Sequence, residues 1–216
     1  MKRARLSGLY LLRMARTLLA SHDVEVEIRG RCDAGDWAGA ATRILERYGR
    51  ELMEFLVATA RSETDGGEAF SRFTEEMWKS LPTFRWQANA RTWCYVLARR
   101  ALGRVLRDRA RRPGKPIALD DAPDVGCIAE RVRTETVSYL RTGVRDRIAD
   151  LRAALDPDDQ ALLILRVDRG LDWRDVALAL SDEDVAGDAL ARRAAAIRKR
   201  FERIKRQLRE RASEMQ

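Results

Sequence analysis

The sequence predicts an all-α fold, two small helical domains joined by a flexible linker, and three observations carry that prediction. Apolar residues recur three and four apart along most of the 216 residues. No stretch alternates with the period of two that a half-buried strand requires. One segment, Pro113 to Glu130, has no period at all and combines three prolines, two glycines and four acidic residues, the composition of an exposed connection between domains. The expected division is an N-terminal extension over 1–30, a first domain over 31–112, a linker over 113–135 and a second domain over 136–216.

From Asp36, a plausible N-cap, the positions Trp37, Ala40, Ala41, Ile44, Leu45, Tyr48, Leu52, Phe55 and Leu56 share one helical face. Gly66 and Gly67 predict an interruption, after which Phe70, Phe73, Met77 and Leu81 resume the stripe until Pro82. A short loop, TFRWQAN, leads to a third helix from about Ala90 that turns Trp93, Leu97, Ala101 and Val105 inward. Beyond the linker, Val137, Leu140, Val144, Ile148, Leu151 and Leu155 keep helical spacing. Asp156 followed by Pro157 predicts a start, because the carboxylate accepts from free amides and proline lacks the amide that has no partner at N1. That helix runs from about 157 to 168 and ends at Gly170. Asp172 then caps a short helix over LDWRDVALAL, and Asp188 is expected to cap a long last helix buried through Leu190, Ala194, Ile197, Phe201, Ile204 and Leu208.

Charge is unevenly placed. The chain carries a net charge of +8, and residues 189–212 alone hold ten basic and two acidic side chains, so the remainder balances. Turning the helical wheel sets Arg192, Lys199, Arg203 and Arg206 opposite the buried stripe. A second basic element is the later part of the third helix, with Arg99, Arg100, Arg104, Arg107 and Arg109.

The same residues exclude several function classes. Cys32, Cys94 and Cys127 lie far apart without CxxC spacing, and the single histidine, His22, stands near none of them, so no metal or other cofactor is expected. No nucleophile with a base, and no phosphate loop, marks an enzyme or a small-molecule substrate site. The basic and apolar N-terminus mimics a signal peptide, but Arg13 and Arg16 interrupt it and no stretch has the ~20 apolar residues of a membrane span. A cytoplasmic protein without membrane insertion is the expectation.

A short helix bounded by glycine and followed by a strongly basic helix is the pattern of a helix-turn-helix, whose second helix enters the major groove. Upstream, Phe84, Trp86, Trp93 and Tyr95 lie among arginines, a composition able to stack unpaired bases while holding their backbone. Spacing assigns Trp93 to the core, whereas Phe84, Arg85, Trp86 and Gln87 follow a proline in a loop and are expected to be open to a ligand.

At this point the chain resembles the extracytoplasmic-function sigma factors of bacteria, the small class of the sigma-70 family that has only regions two and four. The likeness covers about 31–112 and 136–212. GDWAGAATRILERYGRELMEFL resembles the opening helix of region two, FTEEMWKSLPTFRW its polymerase-binding helix and loop, and RTWCYVLARRALGRVLRD the promoter-melting helix. LDPDDQALLILRVDRGLDWRDVALAL resembles the start of region four, and AIRKRFERIKRQLRERA its recognition helix.

The resemblance implies a transcription-initiation factor whose partners are core RNA polymerase and promoter DNA, with an anti-sigma protein as an optional third. Glu68, Arg72, Glu75 and Trp78 would face the polymerase. Phe84, Arg85, Trp86, Gln87, Arg99 and Arg100 would serve the minus-ten element, opening it around a flipped base. Arg192, Arg198, Lys199, Arg200 and Arg203 would meet the minus-thirty-five element as duplex. Arg100 stands where many family members have asparagine, and Ser71 and Arg72 where glutamine and glutamate are usual. The turn between Leu180 and Ile197 is about ten residues longer than the family's. The alternative reading is a stand-alone helix-turn-helix regulator, or a sigma-like adaptor that does not melt promoters.

Overall fold

A computed structural model describes residues 22–109, 123–142, 154–181 and 185–214, and every regular element among them is helical. The helix α1 covers 22–33 and is followed by α2 (Trp37–Ala60), α3 (Glu63–Ser80), a 3₁₀ turn (Leu81–Thr83) and α4 (Ala90–Arg109). Then come α5 (Pro123–Thr142), α6 (Pro157–Leu163) with a π-turn on its end (Ile164–Asp168), α7 (Trp173–Ala179) and α8 (Gly187–Glu214). None of the helices of the described residues is long and apolar enough to cross a membrane.

Local chemistry sets most of the boundaries. Asp36 caps α2 by accepting from the Gly39 amide at 2.9 Å, and Asp156 and Asp172 cap α6 and α7 through the amides of Asp158 and Asp175, each at 2.9 Å. The break between α2 and α3 falls at Arg61 and Ser62, not at the glycine pair. Arg61 takes a left-handed backbone, φ 54°, and Ser62 Oγ accepts from the Asp65 amide. Gly66 lies inside α3 because the α2 backbone passes there: a β-carbon would come within 2.8 Å of Val57 Cα.

Two segments depart from the sequence reading. Residues 22–30, assigned to an extension, belong to α1, which buries Val24, Ile28 and Cys32 at i, i+4 and i+8. Residues 123–135 of the expected flexible linker form most of α5, which packs on α2 and α3 and buries Val125, Ala129 and Thr136. With Val132 packed against the core, the spacing of four, three and four is a helical face that the prolines and glycines around it conceal. Residues 113–122 and 143–153, with the helical stripe expected at 144–151, lie outside the described residues.

The core of the first half is aromatic. Tyr48, Phe55, Phe70, Phe73 and Tyr95 are all fully buried, and Phe55 meets Tyr95 edge to face at 5.3 Å. The C-terminal half packs onto it, α6 on α2 and α7 on α4. Polar contacts reinforce this docking: Arg169 donates to Glu54 at 2.7 Å, Arg99 to Asp158 at 2.9 Å, and Arg61 to the Leu155 carbonyl and to Gln160 Oε1.

Candidate nucleic-acid interface

The loop ahead of α4 is built around three rings. Phe84 stacks on Trp93 with centroids 4.4 Å apart and planes at 19°, and Trp86 tilts against Phe84 at 4.7 Å. The Arg29 guanidinium, from α1, lies over the Trp86 ring at 5.5 Å. All three rings are half-buried against the core, while Arg85 and Gln87 are exposed. The expectation that Phe84 and Trp86 stand open in the loop is therefore corrected: Phe84 is partly covered by Trp93, itself less buried than its position on the inward stripe suggested, and Trp86 by Phe84 and Arg29. Trp86 holds φ 54°, a left-handed backbone that costs a bulky residue about 1–2 kcal/mol.

The loop is held from two sides. Asn89 Oδ1 caps α4 by accepting from Thr92, and the Glu25 carboxylate of α1 accepts from the Ala90 and Arg91 amides and from Tyr48 Oη. Down α4 from Trp93, the spacing puts Val96, Arg100, Gly103 and Arg107 in one stripe on its outer side. This is a row of rings followed by guanidiniums. Burial, then the neighbouring Arg72 and Arg107 charges, pushes the Arg104 pKa down, the mark of cations crowded at this end of the helix. Arg99 points elsewhere: its side chain is 19% exposed and its guanidinium is bound to Asp158 of α6.

The second zone is α7, the turn and α8. Trp173, at the first position of α7, lies between Arg166 at 4.5 Å and Arg198 at 5.7 Å and meets Phe201 edge-on at 5.3 Å. Arg193 donates to the Leu180 carbonyl at 2.8 Å and ties the two helices together. The helix α8 is 28 residues long, about 42 Å at its rise per residue. It starts at Gly187, so Asp188 lies inside its first turn rather than capping it, and part of the lengthened turn becomes helix.

The five residues assigned to the duplex divide by position. Arg192, Lys199 and Arg203, with Arg206, share one exposed face and form no ion pair with a described residue. Arg198 folds over Trp173, and Arg200 binds Asp159 and Asp156 of α6. These two brace the motif.

The residues assigned to the polymerase lie on α3, where Glu68, Arg72 and Glu75 share a face with Lys79. Arg72 donates to Glu68 at 2.7 Å and to Asp108 of α4, and Glu75 accepts from Lys79. Trp78 is half-buried against the core. Spacing recovers this face but not its pairing across to α4.

Sequence reasoning missed Arg29 and Glu25, because they precede the first helix that spacing marks, and missed Arg166, which follows the apolar run ALLIL with no spacing to link it to Trp173. No group of histidine, cysteine, aspartate and glutamate side chains suited to a metal ion occurs among the described residues. Compared with known proteins, this chain matches no family model, no curated sequence and no solved structure.

Proposed function

We propose that this chain is a promoter-recognition subunit of the sigma class, acting in the cytoplasm, that binds core RNA polymerase and directs initiation without a catalytic centre of its own. The observation that carries the reading is the presence, on one helical chain, of two surfaces with different chemistry, an open basic face on α8 and a cluster of aromatic rings ahead of α4. The open basic face of α8, second helix of a helix-turn-helix, suits duplex: its arginines and lysine neutralise phosphates, and its N-terminal half can reach base edges. The ring cluster at the head of the arginine stripe on α4 suits unpaired bases, each stacked base contributing about 1–3 kcal/mol against the few kcal/mol that flipping one out costs.

The test is promoter-specific transcription with purified core polymerase and the full chain. A defined start site that depends on the added chain supports the reading. Duplex binding without polymerase binding or promoter opening would replace it with a stand-alone helix-turn-helix regulator or a sigma-like adaptor. One feature favours that second reading: the α3 face assigned to polymerase satisfies its charges internally through Glu68, Arg72 and Asp108.

A further inference from the structure

Helix α1 brings two side chains to the loop ahead of α4, and they act there in different ways. The Glu25 carboxylate accepts from the Ala90 amide at 2.7 Å, the Arg91 amide at 3.0 Å and Tyr48 Oη at 2.8 Å. Arg29, one turn further on, is exposed, and its guanidinium lies over the Trp86 ring at 5.5 Å. Helical spacing offers this arginine Glu25 at i−4 and Asp33 at i+4. It pairs with neither, nor with any other described carboxylate. Arg31, on the same helix, differs: it binds both Glu27 and Asp36. Because Glu25 is already engaged by α4, the arginine beside it keeps an unneutralised charge, placed against a ring.

We infer that Arg29 is a phosphate ligand of the single-strand surface, holding the backbone of a nucleotide whose base stacks on the cluster of Trp86 and Phe84. The inference rests on the reading of that cluster as a surface for unpaired bases, given above. A nucleotide presents a flat base with a charged phosphate beside it, and a ring with an unpaired guanidinium beside it complements both. Arginine suits the place better than lysine, since its planar guanidinium lies on an aromatic face when no strand is bound and forks onto phosphate oxygens when one is. The distance fits: phosphates along one strand rise by about 3.4 Å each, and 5.5 Å is within two such steps of the ring.

The competing role is a prop for Trp86. A cation over a ring at an exposed site holds it only weakly, and Phe84 already covers this one at 4.7 Å. A prop also predicts no change in how binding depends on salt, which separates the two roles.

The experiment measures binding of the full chain to an end-labelled oligothymidylate and to a blunt duplex, each across a salt series. Arg29→Ala should weaken strand binding about fivefold at low salt, the scale of one exposed ion pair, and lower the strand's salt slope by about 0.7. Arg29→Lys keeps the charge and should restore the slope. Duplex binding, served by α8, should change with neither variant. Arg31→Ala is the control: it removes the same charge from the same helix, but one already paired, and should leave the strand's slope as in the natural chain. Unfolding midpoints should stay within error throughout the Arg29 series, since the side chain is exposed and α1 is held by Glu25 and by buried Val24 and Ile28.

Weaker strand binding at an unchanged slope would show that Arg29 acts only through the ring, and tighter binding that it shields the ring. Either result overturns the inference and leaves the functional reading standing, as does an equal fall in slope for Arg31→Ala or no recovery with lysine. If the natural chain binds the duplex but no strand at low salt, the reading of the ring cluster falls and the inference with it.

Discussion

Arg169 Nη2 donates to Glu54 Oε2 at 2.7 Å, joining residues 115 positions apart, with both side chains only 20% exposed. No other ion pair among the described residues spans so much chain, and it sits where the C-terminal half meets α2. Removing one partner leaves the other charge half-buried, so Glu54→Gln and Arg169→Ala should each destabilise the chain by about 1–3 kcal/mol. Chemical denaturation of both single variants and the double variant gives the coupling. Strict additivity would show that the two charges do not act together.

The carboxylate of Glu25 holds the start of α4 through three hydrogen bonds. Glu25→Gln retains one acceptor oxygen and loses the charge, at a cost of about 1–2 kcal/mol. Amide exchange should rise at Ala90 and Arg91 before it rises in the middle of α4. If exchange there stays as slow as in the natural chain, α1 does not hold the loop.

At Trp86 the ring and the backbone make opposite demands. Trp86→Ala loses the ring contact with Phe84 and keeps the left-handed strain, whereas Trp86→Gly loses the ring and relieves the strain. The glycine variant should therefore be the more stable by about 1 kcal/mol, the reverse of the usual order. Thermal unfolding of the pair decides it. If the ring serves single-strand stacking, both should lose that binding equally.

Burial, and after it the Asp172 charge, pushes the Asp175 carboxyl up to about 6 from an ordinary value of 3.8. Below about pH 4 the group is protonated whether the chain is folded or unfolded. Between about pH 4 and 6 the unfolded chain releases the proton that the folded chain keeps, so this group's contribution to stability falls as pH rises through that window and is level above it. Asp175→Asn removes the effect. The difference in stability between the asparagine variant and the natural chain should grow in the variant's favour from pH 4 to 6.5, as read by urea denaturation. A pH-independent difference would show that the carboxyl titrates as though exposed.

The division of α8 into an open face and a bracing face can be separated by experiment. Lys199→Ala and Arg203→Ala should weaken duplex binding and lower its salt slope by about one unit each, with unfolding midpoints unchanged. Arg198→Ala releases Trp173 and should lower the midpoint instead. Arg209 lies in the last two turns of α8, and Arg209→Ala should not alter which duplex sequence is preferred. Loss of sequence preference there would shift the reading register of the helix.

The elements legible in the sequence are those whose signals are local. Asp36, Asp156 and Asp172 each announce a helix start within three residues, and the stripes of α2, α4 and α8 repeat long enough to be read. The helix α5 was hidden because Pro123 and Gly126 suggest a connection, although proline is harmless at a first helical position. Gly66 misled in the opposite way: its spacing from neighbours suggests a break, yet its role is to admit the α2 backbone. The open face of α8 followed from its wheel, but the diversion of Arg99 and Arg200 to α6 did not. Ion pairs between distant segments leave no spacing to read, and one aspartate among many looks like another.

The π-turn at Ile164–Asp168 fits one more residue into the end of α6 than an α-helical turn holds, and so lets the motif that follows keep its phase. It acts as a phase absorber. An α-helix advances about 100° per residue, so one further residue there, which a turn already widened cannot take up, would swing everything after it by that angle. Arg169 would then leave Glu54, and Arg166 would leave the ring of Trp173. The chain's tolerance for insertions is thus sharply uneven: the exposed end of α8 can gain a turn with its neighbours undisturbed, while this one turn can take no further residue without losing contacts on both sides.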